Sequence, residues 1–172
     1  MKLTKALLLM VALFGFFACD NEDNPSTNTD DIIGNWEVSA YSYEGTTTTT
    51  SGGASFTTDF MGDATDVTAS VEFKTDGTYS STGGYTISLD YEIGGQTIST
   101  PVTISNFIGS GTYEVSGSTL TTTDEDGKTT ALKIERLEGD DMELEFEITQ
   151  ETSQQGATST SVIDGKATLK RK

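Results

Sequence analysis

Few residues of this chain are of a type that carries out chemistry. Its 172 residues include one cysteine, Cys19, and no histidine. Without histidine the chain has no Ser-His-Asp or Cys-His nucleophile pair and no imidazole metal site, and one cysteine forms neither an intramolecular disulfide nor a thiolate zinc cluster. Glu143, Glu145 and Glu147 alternate with apolar residues, which is typical of a solvated strand face. We therefore expect no catalytic residues and a protein that is not an enzyme.

The acidic residues do not form a clear metal site either. Asp124-Glu125-Asp126-Gly127 and Asp140-Asp141 offer the hard oxygen ligands that calcium prefers. Neither stretch has the D-x-D-x-D-G…E spacing of a calcium loop, and Asp-Gly is explained by turn geometry. The net charge of −17 would repel the phosphates of nucleic acids. We expect no metal, no cofactor and no nucleic-acid partner, with calcium in the acidic loops as the alternative.

The position of Cys19 indicates a different role for it. Lys2 and Lys5 begin the chain, and the run 6–18 is almost wholly apolar. This run is shorter than the roughly 20 residues that span a bilayer, and it fits a secretory signal peptide. The tetrapeptide FFAC at 16–19 resembles the lipobox of bacterial lipoproteins, in which a small residue precedes a cysteine.

This resemblance implies that Cys19 becomes the first residue of the mature chain and carries the lipid. Two or three acyl chains hold a protein on a membrane, since each buried methylene contributes about 0.8 kcal/mol. We divide the chain into a signal peptide (1–18), an acidic tether (19–31) and a folded domain (32–172). The expected location is the outer membrane, on its periplasmic or cell-surface side. The alternative is an ordinary secretory peptide with a cysteine near its end.

The folded domain has the periodicity of β-strands. Apolar and polar residues alternate through Tyr85–Ile93 and through 142–148, which predicts strands with one buried face. Turn dipeptides such as Asp76-Gly77 and Asp126-Gly127 separate such runs. The low apolar content and high charge favour a partly disordered, threonine-rich stalk instead, but a disordered segment has no reason to keep the alternation.

The predicted strands are 34–43, 67–74, 78–81, 84–93, 96–104, 111–115, 119–123, 129–137, 142–152 and 158–170. Joined by short turns, they predict an all-β fold, an antiparallel up-and-down barrel of about eight to ten strands without free edges. A β-sandwich is the alternative. The threonine run 46–50 is predicted to be a flexible loop at one rim or an O-glycosylation site, and residues 54–66 fit either a strand or a lid.

Gly34-Asn35-Trp36 opens the first predicted strand. It resembles the G-x-W motif of the lipocalins and the wider calycin barrels, where the tryptophan closes the narrow end and a basic residue from near the last strand packs across it. The resemblance implies that Arg171 is this partner, through cation–π attraction, with Lys170 and Arg136 as fallbacks. The alternative is that Trp36 fills one end of a barrel of another kind.

The order of the motifs is similar to that of the lipocalin-like lipoproteins common in Bacteroidetes. The segment from Ile32 to Trp36, the sequence FKTDGTY at 73–79 and the segment from Gly111 to Leu120 follow one another in that order. The resemblance covers most of residues 32–172. It implies a membrane-anchored barrel that binds small molecules.

A barrel of eight strands is wide enough for one small ligand or for close-packed side chains. We expect the ligand to be a small apolar or amphipathic molecule. The residues expected to line its pocket are Val38, Val71, Phe73, Ile87, Leu89, Tyr91, Tyr113, Val115, Leu132, Ile134, Leu144 and Phe146. The alternative is a filled barrel that serves as a cell-surface interaction module and contacts glycan or protein through its loops. Exposed aromatic residues near Tyr41, Tyr43, Phe56 or Phe60 would favour it.

Overall fold

The computed structural model of the chain describes residues 27–93, 96–154 and 156–172. Cys19, the predicted signal peptide and most of the predicted tether lie outside the described residues. The described elements are α1 (Thr29–Ile32), β1 (Gly34–Ser51), β2 (Ala54–Thr65), β3 (Ser70–Phe73), β4 (Thr78–Thr82), β5 (Tyr85–Ile93), β6 (Gln96–Ile104), β7 (Ser110–Ser116), β8 (Thr119–Asp124), β9 (Thr129–Glu138), β10 (Asp141–Gln154) and β11 (Ala157–Arg171). A helix long and apolar enough to span a bilayer is not found in this described part.

Eight of the strands close into an antiparallel barrel. They follow one another around it as β1, β3, β4, β7, β8, β9, β10 and β11, and β11 pairs back with β1. Neighbouring strands are therefore consecutive in the chain, apart from β2 and the β5–β6 pair, which leave the barrel. This confirms the predicted all-β, antiparallel up-and-down barrel, whereas the alternatives of a sandwich and a disordered stalk are wrong.

β1 is longer than the barrel wall, and a second sheet is built on its far part. Residues 34–37 pair with β3, and residues 42–51 pair with β2. β2 pairs in turn with β5, and β5 with β6. We call this second sheet the upper sheet; it consists of β2, β5, β6 and residues 45–51, 148–154 and 157–163 of the three long strands. The barrel end beside it is the upper end, and the end where β1 begins is the lower end.

The prediction of a loop at 46–50 is wrong. These threonines lie in the middle of β1, paired with β2 on one side and with β11 on the other. Threonine is β-branched and favours strands, and its hydroxyls also bond between strands. The Thr47 hydroxyl lies 2.8 Å from that of Ser161, and the Thr49 hydroxyl 2.8 Å from that of Ser159. The following residues form strand β2 rather than a lid.

The hydrophobic core fills the lower part of the barrel. The large side chains that are almost fully buried there are Ile32, Trp36, Val71, Phe73, Leu120, Ile134, Met142 and Leu169. Burying a side chain of this kind contributes about 1.5–3 kcal/mol. Except for Ile32, each comes from the inward face of a barrel strand, so a modest apolar content is enough to build the core. The segment 27–172 therefore contains both the closed sheet and its core, as a domain that folds alone requires.

A glycine lets one aromatic ring lie against the backbone of the upper sheet. Gly45 of β1 is paired with Phe60 of β2. A Cβ atom at Gly45 would lie 2.8 Å from Cζ of Phe60 and would also overlap the carbonyl oxygen of Val162. Because Phe60 is only 8% exposed, its ring has little room to move away.

Gly45→Ala is therefore expected to lower the free energy of unfolding by about 1–3 kcal/mol, the usual cost of overpacking. Thr46→Val is the matched control, because the Thr46 side chain is exposed; it is expected to change that free energy by less than about 0.5 kcal/mol. Urea denaturation measures both. Equal stability of Gly45→Ala and the wild type would contradict the close approach of Phe60.

Candidate ligand-binding site

Trp36 closes the lower end of the barrel. Its side chain is fully buried, and its Nε1–H donates a hydrogen bond to the carbonyl oxygen of Ile32 at 2.8 Å. The register of β1 and β11 places Trp36 directly opposite Arg171. The Cζ atom of Arg171 lies 4.2 Å from the centre of the Trp36 ring, a distance at which a guanidinium is attracted to the π face.

The Arg171 guanidinium also holds the segment that leads into β1. Its Nη1 donates to the carbonyl oxygen of Ile33 and its Nη2 to that of Asp31, both at 2.6 Å. Gly34 leaves room for this arrangement, since its φ is +138° and a Cβ atom there would lie 2.7 Å from Nη1 of Arg171. The structure thus brings Gly34, Trp36 and Arg171 together in one contact cluster.

A cavity of about 220 Å³ lies in the barrel and reaches its upper rim. Asp124 and Lys128, at either end of the turn between β8 and β9, border it there. Its apolar lining consists of Tyr41, Val71, Phe73, Tyr79, Phe107, Ile108, Leu120, Leu132, Leu144, Phe146, Ile148, Ala167 and Leu169. Five of these side chains are aromatic, so the cavity offers flat apolar surfaces to a ligand.

The predicted pocket residues are distributed over three places. The cavity is lined by five of them, Val71, Phe73, Leu132, Leu144 and Phe146, of which Val71, Phe73 and Leu144 also belong to the core. Others belong to the surrounding core, namely Val38, Tyr113 and Ile134, with Val115 packed against it. The remaining three lie on β5.

The prediction that Ile87, Leu89 and Tyr91 line the barrel is wrong, because β5 is not a barrel strand. It pairs with β2 and β6 in the upper sheet. Ile87 is buried there against Gly62, where a Cβ atom would lie 2.9 Å from Cγ1 of Ile87. Alternation shows which residues share a strand face, but it does not show which sheet the strand joins.

Tyr41 and Phe107 line the cavity, although sequence reasoning did not assign them to it. The Tyr41 ring is stacked on Phe146, with centroids 5.8 Å apart and planes at 17°. The Phe107 ring packs edge-on against Tyr41 with ring centroids 5.5 Å apart, and the centroid of the Tyr85 ring lies 4.9 Å from that of Tyr41. Burial, and then the proximity of Tyr85, raises the pKa of the Tyr41 hydroxyl far above its ordinary value. Tyr41 is therefore neutral at all ordinary pH values and presents an apolar ring to the cavity.

Polar groups of the cavity lining cluster on β8, β9 and the turn between them. They are Thr122, Asp124, Lys128 and Thr130. The Thr122 hydroxyl donates to the carbonyl oxygen of Thr130 at 3.4 Å. An apolar interior with a few polar groups at one edge is the usual arrangement of a site for a small amphipathic molecule.

A larger, open groove of about 900 Å³ shares Leu132 and Phe146 with the cavity. Charged residues line much of it, among them Glu145, Glu147 and Lys166, and Glu145 forms an ion pair with Lys166. Lys133, also in its lining, forms an ion pair with Glu135.

Lys170 and Arg136, the fallback partners for Trp36, likewise form ion pairs with carboxylates. Lys170 lies 2.8 Å from Asp141, and Arg136 lies 2.6 Å from Glu143. The charged groups of both side chains therefore contact carboxylates and not the tryptophan ring. Trp36 is in contact with Arg171 instead.

The chain matches no protein-family model, and no curated protein or solved structure matches it. Among the residues that the structure describes, no three Asp, Glu or Cys side chains are grouped so that they could hold a metal ion. Function is therefore inferred from the cavity, its rim and the lower end of the barrel.

Arg171→Lys is expected to lower the free energy of unfolding by about 1–3 kcal/mol. The planar guanidinium of Arg171 covers the Trp36 ring and at the same time donates to two carbonyl oxygens. A lysine ammonium is not planar and cannot make both kinds of contact at once. Guanidinium denaturation followed by Trp36 fluorescence measures this directly, because Trp36 is the sole tryptophan.

Lys172→Ala serves as the control for Arg171→Lys. Lys172 forms an exposed ion pair with Glu37 at 2.9 Å, and such pairs contribute at most about 1 kcal/mol. If the unfolding curves of Arg171→Lys and the wild type coincide, the contacts of the guanidinium do not contribute to the free energy of unfolding, and the prediction is wrong.

Proposed function

We propose that this chain is a lipid-anchored lipoprotein whose lipocalin-like barrel binds one small apolar or amphipathic molecule. The observation that carries the proposal is the cavity of about 220 Å³, lined by five aromatic side chains and bordered by polar groups at the upper rim. The buried core and Trp36 close the barrel beneath it. A ligand would enter from the upper end with its apolar part first.

The size of the cavity limits what it can bind. Sites for drug-sized ligands have about 300–1,000 Å³, so this cavity suits a molecule with one ring or a short acyl chain. Burying an apolar body of about 150–250 Å² gives about 4–6 kcal/mol before the cost of association. We therefore expect dissociation constants of about 10 µM or weaker for a purely apolar ligand.

The lower end supports the lipocalin-like part of the proposal. Trp36 is fully buried near the start of β1, and Arg171 covers it from the last strand. Gly34 makes room for the guanidinium. These contacts give a physical reason for each residue of the G-x-W resemblance and for its basic partner.

The lipid anchor is proposed from the FFAC sequence at 16–19 and the acidic residues after it. The described chain enters the barrel at the lower end, where Arg171 bonds to Asp31 and Ile33. The cavity rim lies at the opposite end. If Cys19 anchors the barrel to the outer membrane, the tether joins the barrel at its lower end. The opening of the cavity is then at the end opposite the tether.

A second candidate function is that of a surface interaction module. Phe56 of β2 and Ile98 of β6 are large apolar side chains of the upper sheet that are 59% and 49% exposed, and exposed apolar surface is a feature of sites that contact a partner. A protein or glycan partner would then contact the upper sheet rather than the cavity.

The cavity proposal is tested by two neighbouring threonines of β9. Thr130 lines the cavity, whereas Thr129 is exposed. Thr130→Phe is expected to fill the cavity and to weaken binding of a small apolar probe such as indole at least about tenfold, the effect of losing about 1.4 kcal/mol. Thr129→Phe adds the same ring outside and should leave the affinity unchanged. Calorimetric titration of residues 20–172 measures both, and equal binding by the two variants would contradict the assignment of the site.

The anchor is tested by metabolic labelling with palmitate. The wild-type chain is expected to incorporate the label and to fractionate with membranes, and Cys19→Ala to lose both properties, because the acylated thiol and amine are absent. Adding Ser26→Cys to Cys19→Ala should not restore labelling, since this thiol lies away from the proposed cleavage site. Incorporation of label by Cys19→Ala would refute the anchor.

A further inference from the structure

The basic residues of the described chain are almost all paired with carboxylates. Eight lysines and arginines lie in the described residues, and seven of them form ion pairs: Lys74, Lys133, Arg136, Lys166, Lys170, Arg171 and Lys172. Among the described residues, Lys128 is the one cation whose ammonium forms no such pair. In a chain with 27 acidic residues, an unpaired lysine is unexpected.

Lys128 is also the one basic residue in the lining of the cavity. The turn holds its backbone in place, because its N–H donates to Oδ1 of Asp124 at 2.8 Å and its carbonyl accepts from the Asp124 N–H at 3.0 Å. The ammonium is therefore carried on a fixed backbone at the rim, next to an apolar interior. A side chain of this length reaches a polar group of a ligand whose apolar part occupies the cavity.

Asp124 and Glu125, which precede Lys128 at the same turn, have carboxylates engaged in hydrogen bonds. Oδ1 of Asp124 accepts from the backbone N–H groups of Asp126 and Lys128. Oε1 of Glu125 accepts from the hydroxyl of Ser110 at 2.7 Å. The ion pairs of the described residues include none between Lys128 and Asp124, Glu125 or Asp126, so its ammonium is left available to an external anion.

We infer that Lys128 selects ligands with an anionic end, so that the cavity takes small amphipathic carboxylic acids. This inference rests on the proposed function. The apolar body of the acid lies among the aromatic side chains, and the carboxylate meets the ammonium at the rim. A charge-assisted hydrogen bond of this kind is stronger than a neutral one.

The test compares acids with their neutral amides, which have nearly the same shape. Benzoate, 4-phenylbutyrate and octanoate are titrated against benzamide, 4-phenylbutyramide and octanamide, with octylamine as the cationic probe, on residues 20–172. The best-binding acid is expected to bind about tenfold more tightly than its amide, as one charged hydrogen bond provides. Lys128→Met should reduce this preference to less than about twofold without weakening the amide.

Lys74→Met is the matched control, because it removes the same charge from the turn between β3 and β4, where Lys74 lies 3.8 Å from Glu72. It should keep the preference for acids. Lys128→Gln provides a second variant, since it retains a polar side chain, and it should lose the preference as well.

Several outcomes would overturn the inference while leaving the proposed function intact. They are equal affinity for acid and amide, tighter binding of octylamine, or a preference for acids that survives both changes at Lys128. Binding of none of the probes to the wild type would count against the proposed function itself and would remove the basis of the inference.

Discussion

The pairing of β1 with β11 is the interaction on which the rest of the structure depends. It runs from Trp36 opposite Arg171 to Ser51 opposite Ala157, and it joins the first and last strands of the described chain. Such long-range pairing has a high entropic cost, but it removes the free edges that an open sheet would expose. The same two strands then extend past the barrel, and the upper sheet is built on them.

The two ends of the barrel differ in how they are filled. At the lower end, Trp36 is fully buried with the Arg171 guanidinium over its ring, and the hydrogen bonds of Arg171 fix the chain as it enters β1. At the upper end, aromatic rings such as those of Tyr41 and Phe146 line the cavity instead of filling it. Stability is therefore concentrated at one end, and room for a ligand is left at the other.

Local patterns in the sequence predict most of the strands and the face of each that is buried, because alternation and Asp-Gly turns are short-range features. They do not predict which strands pair, which is why local patterns alone put β5 in the barrel and the threonine run 46–50 in a loop. They also miss the β-bulge between Val38 and Ala40, where the register with β11 shifts. This extra residue changes the alternation, so that Tyr41 and not Ala40 follows Val38 into the barrel.

Native mass spectrometry of residues 20–172, purified from cells that naturally make the protein, tests most directly whether the barrel holds a small molecule. We expect a fraction of the protein to carry one small adduct, which is released on unfolding and is absent when Phe replaces Thr130 in the cavity lining. A single mass equal to that of the polypeptide, together with no rise in melting temperature across a panel of small apolar and amphipathic molecules, would contradict it.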